Sequence, residues 1–258
     1  MTLTKLPEPG SFSFEGRTAM ITGGAKGVGE AICREIHAGG GHVAICDIDL
    51  AAAQTVARSL DPSGDTAMVV SLDVRSKDDF IAGRDAVIAK WGKVDIVVNN
   101  AGYAKRTPVD DITPDEFDEI VAINMRSVFL SCQVFKDHMA ENGYGRIVNI
   151  TSLAGQNGGT VASPHYASSK AGAIMLTKYF AQLLADKGVT VNAISPGPIA
   201  TAKARLSDEQ IAMVEGKVPV GRFMEVSEIA AAAALLASDR GGFFVGATLD
   251  MNGGLYVR

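Results

Sequence analysis

Seven short apolar runs alternate with six helix-periodic stretches along the chain, and this alternation limits the fold more than any other feature. The runs are residues 19–22, 42–46, 66–72, 96–99, 146–151, 190–195 and 248–250; the helical stretches are 28–38, 50–59, 77–91, 114–140, 166–186 and 227–237. Parallel strands need a long crossover between them, and a helix is the usual one. Such sheets are covered on both faces, their crossovers are right-handed, and ligands bind beyond the carboxyl ends of the strands where strand order reverses. The expected fold is α/β, a doubly wound parallel seven-stranded sheet with helices on both faces. The chain has 258 residues and 47% apolar content, enough for one sizeable core, and α/β domains of this length commonly stay single.

The first apolar run leads into Thr22-Gly23-Gly24-Ala25-Lys26-Gly27-Val28-Gly29, after which Val28, Ile32 and Ile36 recur at helical spacing. Glycines let a backbone approach a pyrophosphate, and the helix N-terminus behind them favours its charge. The spacing is Gly-x-x-x-Gly-x-Gly rather than Gly-x-Gly-x-x-Gly. Such a cluster alone reads as a tight turn; strand, glycine loop and helix in succession read as a dinucleotide site.

Tyr166 and Lys170 stand four residues apart, on one face of a helix. A phenol with a pKa of about 10 is a poor base, and bringing it to 7 asks roughly 4 kcal/mol of its surroundings. An ammonium nearby favours the phenolate, and a second cation such as an oxidised nicotinamide would help. Taken alone, Tyr-x-x-x-Lys also fits a packed tyrosine beside a solvated lysine. Ser152 lies 14 residues upstream of Tyr166 and follows the apolar run 147–150.

With Asn99-Asn100-Ala101-Gly102, Asn124, Ser152, Tyr166-x-x-x-Lys170 and Pro196-Gly197 following the glycine loop in that order, the chain resembles a short-chain dehydrogenase/reductase from about Phe14 to its C-terminus. The resemblance implies a tail of residues 1–13, then a single Rossmann-like dinucleotide-binding and catalytic domain over 14–258. It implies hydride transfer between NAD(H) and a secondary alcohol or ketone. Tyr166 would exchange the substrate proton and Lys170 would lower the phenol pKa and hold the nicotinamide ribose. Ser152 would donate to the reacting oxygen. Asn124 would order a water in the proton path, although it also fits a solvated asparagine in a helix that it could kink. For the cofactor the matching positions are Gly23, Lys26, Gly27, Val28, Gly29, Asp47, Asp73, Val74, Asn99, Ala101, Gly102, Pro196, Ile199 and Thr201, with Tyr166 and Lys170.

Asp47, 18 residues beyond Gly29, would accept from an adenosine ribose hydroxyl and repel a 2′-phosphate, so NAD is expected. Lys26 argues for NADP, since relatives that prefer it often carry a basic residue there. Asp73 would take the adenine amino group beside the Val74 amide. Tyr103, Ser152, Gln156, Asn157 and Tyr166 would shape the substrate pocket, under a lid over residues 200–221. The lid stretch also reads as an ordinary surface helix that begins at the capping pattern Ser207-Asp208-Glu209-Gln210. His165, beside Tyr166, points elsewhere on a helix and is expected to line the pocket or face solvent.

Net charge is −5 with no basic stripe, which disfavours a nucleic-acid partner. Cys33, Cys46 and Cys132 are odd in number, and neither they nor the histidines show metal spacing, so idle buried thiols and no metal are expected. Residues 1–10 lack the apolar core of a signal peptide, and the apolar stretch 229–237 is too short to span a bilayer. A cytoplasmic protein without a membrane partner follows as the expectation. The resemblance also implies a homotetramer or homodimer built through the long helices and the C-terminal segment. Two further readings stay open: an NADPH-dependent 3-oxoacyl-[acyl-carrier-protein] reductase, and a cofactor-binding protein without turnover.

Overall fold

Residue alternation in each strand divides the interior into two layers. In the computed structural model, which describes residues 12–159 and 163–257, Ala19 and Ile21 of β1 (Thr18–Thr22) join one apolar cluster while Met20 joins the other. Residues 1–11 of the expected tail lie outside the described residues. The remaining strands are β2 (His42–Asp47), β3 (Ala67–Ser71), β4 (Ile96–Asn99), β5 (Gly145–Ile150), β6 (Val189–Pro196) and β7 (Thr248–Met251). All pair in parallel in the order β3-β2-β1-β4-β5-β6-β7. Strand order therefore reverses between β1 and β4, and the loops after those two strands share the sheet's carboxyl end.

One face is covered by α1 (Gly27–Ala38), α2 (Leu50–Leu60) and α9 (Val226–Ala237). The other is covered by α3 (Lys77–Trp91), α5 (Ser127–Glu141) and α7 (Pro164–Leu184). Shorter helical pieces outside the expected list or inside a longer one include α4 (Pro114–Val121), α6 (Ala154–Asn157), α8 (Asp208–Lys217) and the 3-10 turn Ala200–Arg205. The helix expected over 114–140 is α4 and α5 joined by a π turn, Ala122–Arg126, with Asn124 inside it. The wide turn, rather than a break, is the departure at that asparagine. Helix α7 begins two residues before the expected start because Pro164 occupies its first turn, where a missing N–H costs nothing. The capping pattern at Ser207 forms a complete box that starts α8.

At the amino end of the sheet a polar clasp ties distant segments. The Arg17 and Arg146 guanidinium carbons lie 3.5 and 4.2 Å from the Tyr144 ring centroid. The Tyr144 hydroxyl donates to Asp239 at 2.9 Å. Buried Asp95 accepts from the Thr18 amide at 2.9 Å and pairs with Lys93 and Arg17. Among the described residues no helix is long and apolar enough to cross a membrane, and no group of three or more His, Cys, Asp or Glu could hold a metal ion. Cys33, Cys46 and Cys132 are free and buried, and burial raises all three thiols.

Candidate active site

The glycine loop is shaped by close approach. Gly23 and Gly27 have φ of +63° and +56°, values that favour glycine. A Cβ on Gly29 would stand 2.0 Å from the Gly23 carbonyl oxygen, and one on Gly23 would meet the Ala101 Cα at 3.0 Å. The first amides of α1, at Gly27, Val28 and Gly29, have no partner within the helix, as at any helix N-terminus. That is the donor set a pyrophosphate requires, so these residues fit a dinucleotide.

The loop after β4 is stitched to the glycine loop. Thr22 Oγ1 accepts from the Asn100 and Ala101 amides, both at 3.1 Å, and donates to Val98 O. The Asn100 side chain donates to the carbonyls of Thr22 and Gly23. Asn100 was absent from the expected site. The signal that could have found it is the doubled asparagine at a strand end, where two amide groups can serve different partners. Asn99 turns inward instead, donating to Asn149 at 2.8 Å. Thr201 lies beside the loop, its methyl 3.7 Å from where a Cβ on Gly27 would be.

At the end of β2, the two carboxylate oxygens of Asp47 accept from the Ala25 and Asp49 amides at 3.1 and 3.0 Å. The Lys26 ammonium is paired with Asp49 at 2.6 Å, and that partner raises its pKa. Asp49 also caps α2 through the Ala52 amide. Asp73 is gripped by the Arg75 guanidinium, which holds the carboxylate below its usual range. Its oxygens are thus shared with Arg75. Val74 is partly buried beside it.

Two of the expected residues, Asn124 and Lys170, meet at Gly102. A Cβ there would lie 3.0 Å from Asn124 Oδ1 and 3.3 Å from Lys170 Nζ. Buried Asn124 clamps the Tyr103 backbone with two hydrogen bonds, accepting from its N at 2.9 Å and donating to its O at 2.8 Å. The Tyr103 ring is exposed. Lys170 is buried, donates to Ile150 O at 2.9 Å, and lies 5.9 Å from the Tyr166 ring centroid. Ser152 Oγ accepts from the Ala154 amide at 3.2 Å and faces the Tyr166 phenol.

The titration differs from the expectation at this pair. Burial pulls the Lys170 ammonium down to about 8. Burial pushes the Tyr166 phenol up, with Ser152 opposing. Both groups are desolvated, and desolvation penalises both charged forms.

Around the remaining wall, the bend Pro196-Gly197-Pro198 is packed so tightly that a Cβ on Gly197 would meet the Asn252 Cα at 2.9 Å. Ile199 then bridges to Met224, which anchors the start of the stretch 200–221. Gln156 donates to Asp250 across the sheet end, and Asn157 caps its own turn through the Gly159 amide. His165 neither lines the pocket nor faces solvent. It is fully buried and bonded to Glu116 at 3.1 Å, because α7 packs its first turn against α4.

The family described as enoyl-(acyl carrier protein) reductase matches residues 23–256. An acetoacetyl-CoA reductase of Rhizobium meliloti is 38% identical over 93% of this chain and 98% of its own length. A 3-oxoacyl-[acyl-carrier-protein] reductase of Escherichia coli is 36% identical, covering 95% and 99%. The crystal structure of a "putative gluconate dehydrogenase" from Agrobacterium tumefaciens superposes with a TM-score of 0.88 at 29% identity, covering 95% of this chain and 97% of that one. With the glycine cradle, the seven-stranded sheet and the Ser152, Tyr166 and Lys170 cluster, these matches establish that the chain belongs to the short-chain dehydrogenase/reductase family of oxidoreductases.

Proposed function

We propose that the chain is an NAD(H)-dependent dehydrogenase of a secondary alcohol or ketone. The observation that carries this is the convergence of Asn124, Lys170 and Gly102 beside the glycine loop, with Ser152 against the Tyr166 phenol. When bound, the nicotinamide supplies the hydride acceptor or donor. Tyr166 passes the hydroxyl proton, and Ser152 donates to the oxygen where charge develops. Lys170 holds the nicotinamide ribose and, together with a positively charged ring, favours the phenolate that burial alone opposes. Asn124 fixes the wall at Tyr103 and completes the proton path. Gly23, Gly27, Val28 and Gly29 cradle the pyrophosphate; Ala101 and Gly102 border it. Asp73 with Val74 serves the adenine once Arg75 gives way, and Pro196, Ile199 and Thr201 serve the nicotinamide amide.

NAD is favoured over NADP by charge. Two carboxylates, Asp47 and Asp49, stand together after β2, where the resemblance puts the ribose 2′-oxygen, and the Lys26 ammonium is already held by Asp49. A 2′-phosphate would meet net negative charge there. The second reading, an NADPH-dependent 3-oxoacyl-[acyl-carrier-protein] reductase, draws on the activities printed for the relatives above. A binding protein without turnover is disfavoured by the complete Asn124, Ser152, Tyr166 and Lys170 set.

Residues 14–258 act in this proposal as one domain, with 200–221 as a substrate lid and Tyr103, Gln156 and Asn157 at the pocket. Exposed Phe129, Met175 and Tyr179 line an apolar groove of about 570 Å³ between α5 and α7, which supports a homotetramer or homodimer. A cytoplasmic location fits the same picture. The deciding experiment crosses NAD+ and NADP+ with polyols, sugars, steroids and 3-hydroxyacyl thioesters, following reduced nucleotide by absorbance. Turnover only with NADP+ and thioesters would favour the second reading; no turnover at all would favour the third.

A further inference from the structure

Glu116 gathers donors that the proposed reaction does not use. It sits in the first turn of α4, where Thr113 caps the helix through the Glu116 amide. Its Oε2 takes the Lys105 ammonium, and its Oε1 lies 3.1 Å from His165 Nε2. Lys105, then Thr107 and His165, hold the carboxyl down to about 2, so it is ionised throughout the neutral range. A carboxylate only accepts, so His165 Nε2 carries the hydrogen. The other ring nitrogen, Nδ1, is buried without a partner. A buried ring with one nitrogen unmet is costly, so the bond to Glu116 is what retains the imidazole at this position.

The same cluster fastens the loop after β4. At its near end Asn124 clamps the Tyr103 backbone. At its far end the Ser163 hydroxyl lies 2.9 Å from Lys105 O and 3.1 Å from Thr107 O, and accepts from the Thr107 amide. Glu116 grips Lys105 from the α4 side. On the α7 side it holds His165, the residue directly before Tyr166. One carboxylate thus links the loop 103–107, helix α4 and the start of the helix that carries the phenol.

We infer that Glu116 is a positioning residue: through Lys105 and His165 it fixes the loop 103–107 relative to Tyr166, and so holds the wall against which the alcohol or ketone is oriented. The inference rests on the proposed function for the word substrate, but the anchoring itself does not. Small displacements of such a wall lower productive binding without touching the reacting groups.

The test uses the full chain with saturating NADH and three variants: Glu116→Gln, Lys105→Met and Lys105→Arg. Lys105 is half-exposed, so its substitutions leave the core intact. Hydrogen exchange of the amides in 103–107 is expected to quicken about tenfold in Glu116→Gln and Lys105→Met, while Lys105→Arg stays near wild type and the amides of 23–29 do not change. With the substrate found by the alcohol panel, KM rises about tenfold, while kcat and the Kd for NADH stay within about twofold. Unchanged exchange in both Glu116→Gln and Lys105→Met overturns the inference. So does a parallel loss of NADH affinity, which would mark a general structural role. If the panel returns no substrate, the proposed function fails, and exchange alone still decides whether Glu116 anchors the loop.

Discussion

The two ends of the sheet solve opposite problems. At the amino end, Asp95, Tyr144, Arg17, Arg146 and Asp239 satisfy one another through hydrogen bonds and stacked guanidinium groups. At the carboxyl end, Lys170 is buried with one carbonyl partner and its charged form is penalised. The phenol beside it is penalised as well. One end therefore spends its polar groups on holding β1, β5 and the approach to β7 together. The other keeps its polar groups unsettled, ready for a bound charge. Polar residues are buried at both ends, so burial by itself does not separate structural from reactive groups; the completeness of their partners does.

That contrast can be broken at several points. The largest effect is expected at Tyr166→Phe, which should lower kcat by about a thousandfold or more. NADH affinity, read by fluorescence titration, should stay within about threefold; full activity would remove the phenol from the reaction. Lys170→Met should lower turnover by about a hundredfold and yet raise stability by about 1 kcal/mol or more, because a buried ammonium is replaced by an apolar chain. The sign carries a pH signature. With its folded-state pKa pulled down to about 8, the wild-type penalty is complete below that value and fades as pH rises towards the unfolded value of about 10.4. Denaturant melts of both proteins at pH 7 and 10 should show the gap narrowing; a constant gap would mean that the ammonium is well solvated.

At the other end, Asp95→Ala should cost about 2 kcal/mol in a denaturant melt, since it strands the Thr18 amide and uncouples Arg17. Its kcat should be near wild type at a temperature where it is folded, and a large kcat defect would show that the ends are coupled. The smallest effect is expected at Asp47→Ala, which should move the NAD-to-NADP ratio of kcat/KM by about tenfold towards NADP. An unmoved ratio would leave Asp47 as a support for the Ala25 and Asp49 amides alone.

The alternation of apolar runs and helical stretches was enough to read the sheet, because parallel strands need crossovers and each motif falls after a strand. Tyr166, Lys170, Ser152 and the glycine loop were legible for the same reason. What stayed hidden depends on contacts between residues far apart in the chain. Arg17 and Asp239 are separated by 222 positions, and no local pattern announces their pairing. His165 looked like a pocket residue because its neighbour is Tyr166, whereas the packing of α7 on α4 buries it. The stretch Ala122-Ile123-Asn124-Met125-Arg126 contains neither proline nor glycine; its asparagine marked the place of an irregularity, but nothing in it set the form, a widened turn rather than a kink. The engagement of Asp73 by Arg75 is local, but an acid and a base two residues apart after a strand have no fixed geometry that spacing alone would reveal.

The wide turn at 122–126 has an evolutionary reading as well as a geometric one. A π turn amounts to one surplus residue in an otherwise regular coil. Excising a neighbour of Asn124 from the five would return the segment to ordinary pitch and leave the helices on either side in register. Phe129 would keep its place beside Tyr179, whereas the Asn124 grip on the Tyr103 backbone would lose the widened coil that presents it. A single-codon deletion would thus spare the outer surface and fall on the interior, leaving the two free to drift apart.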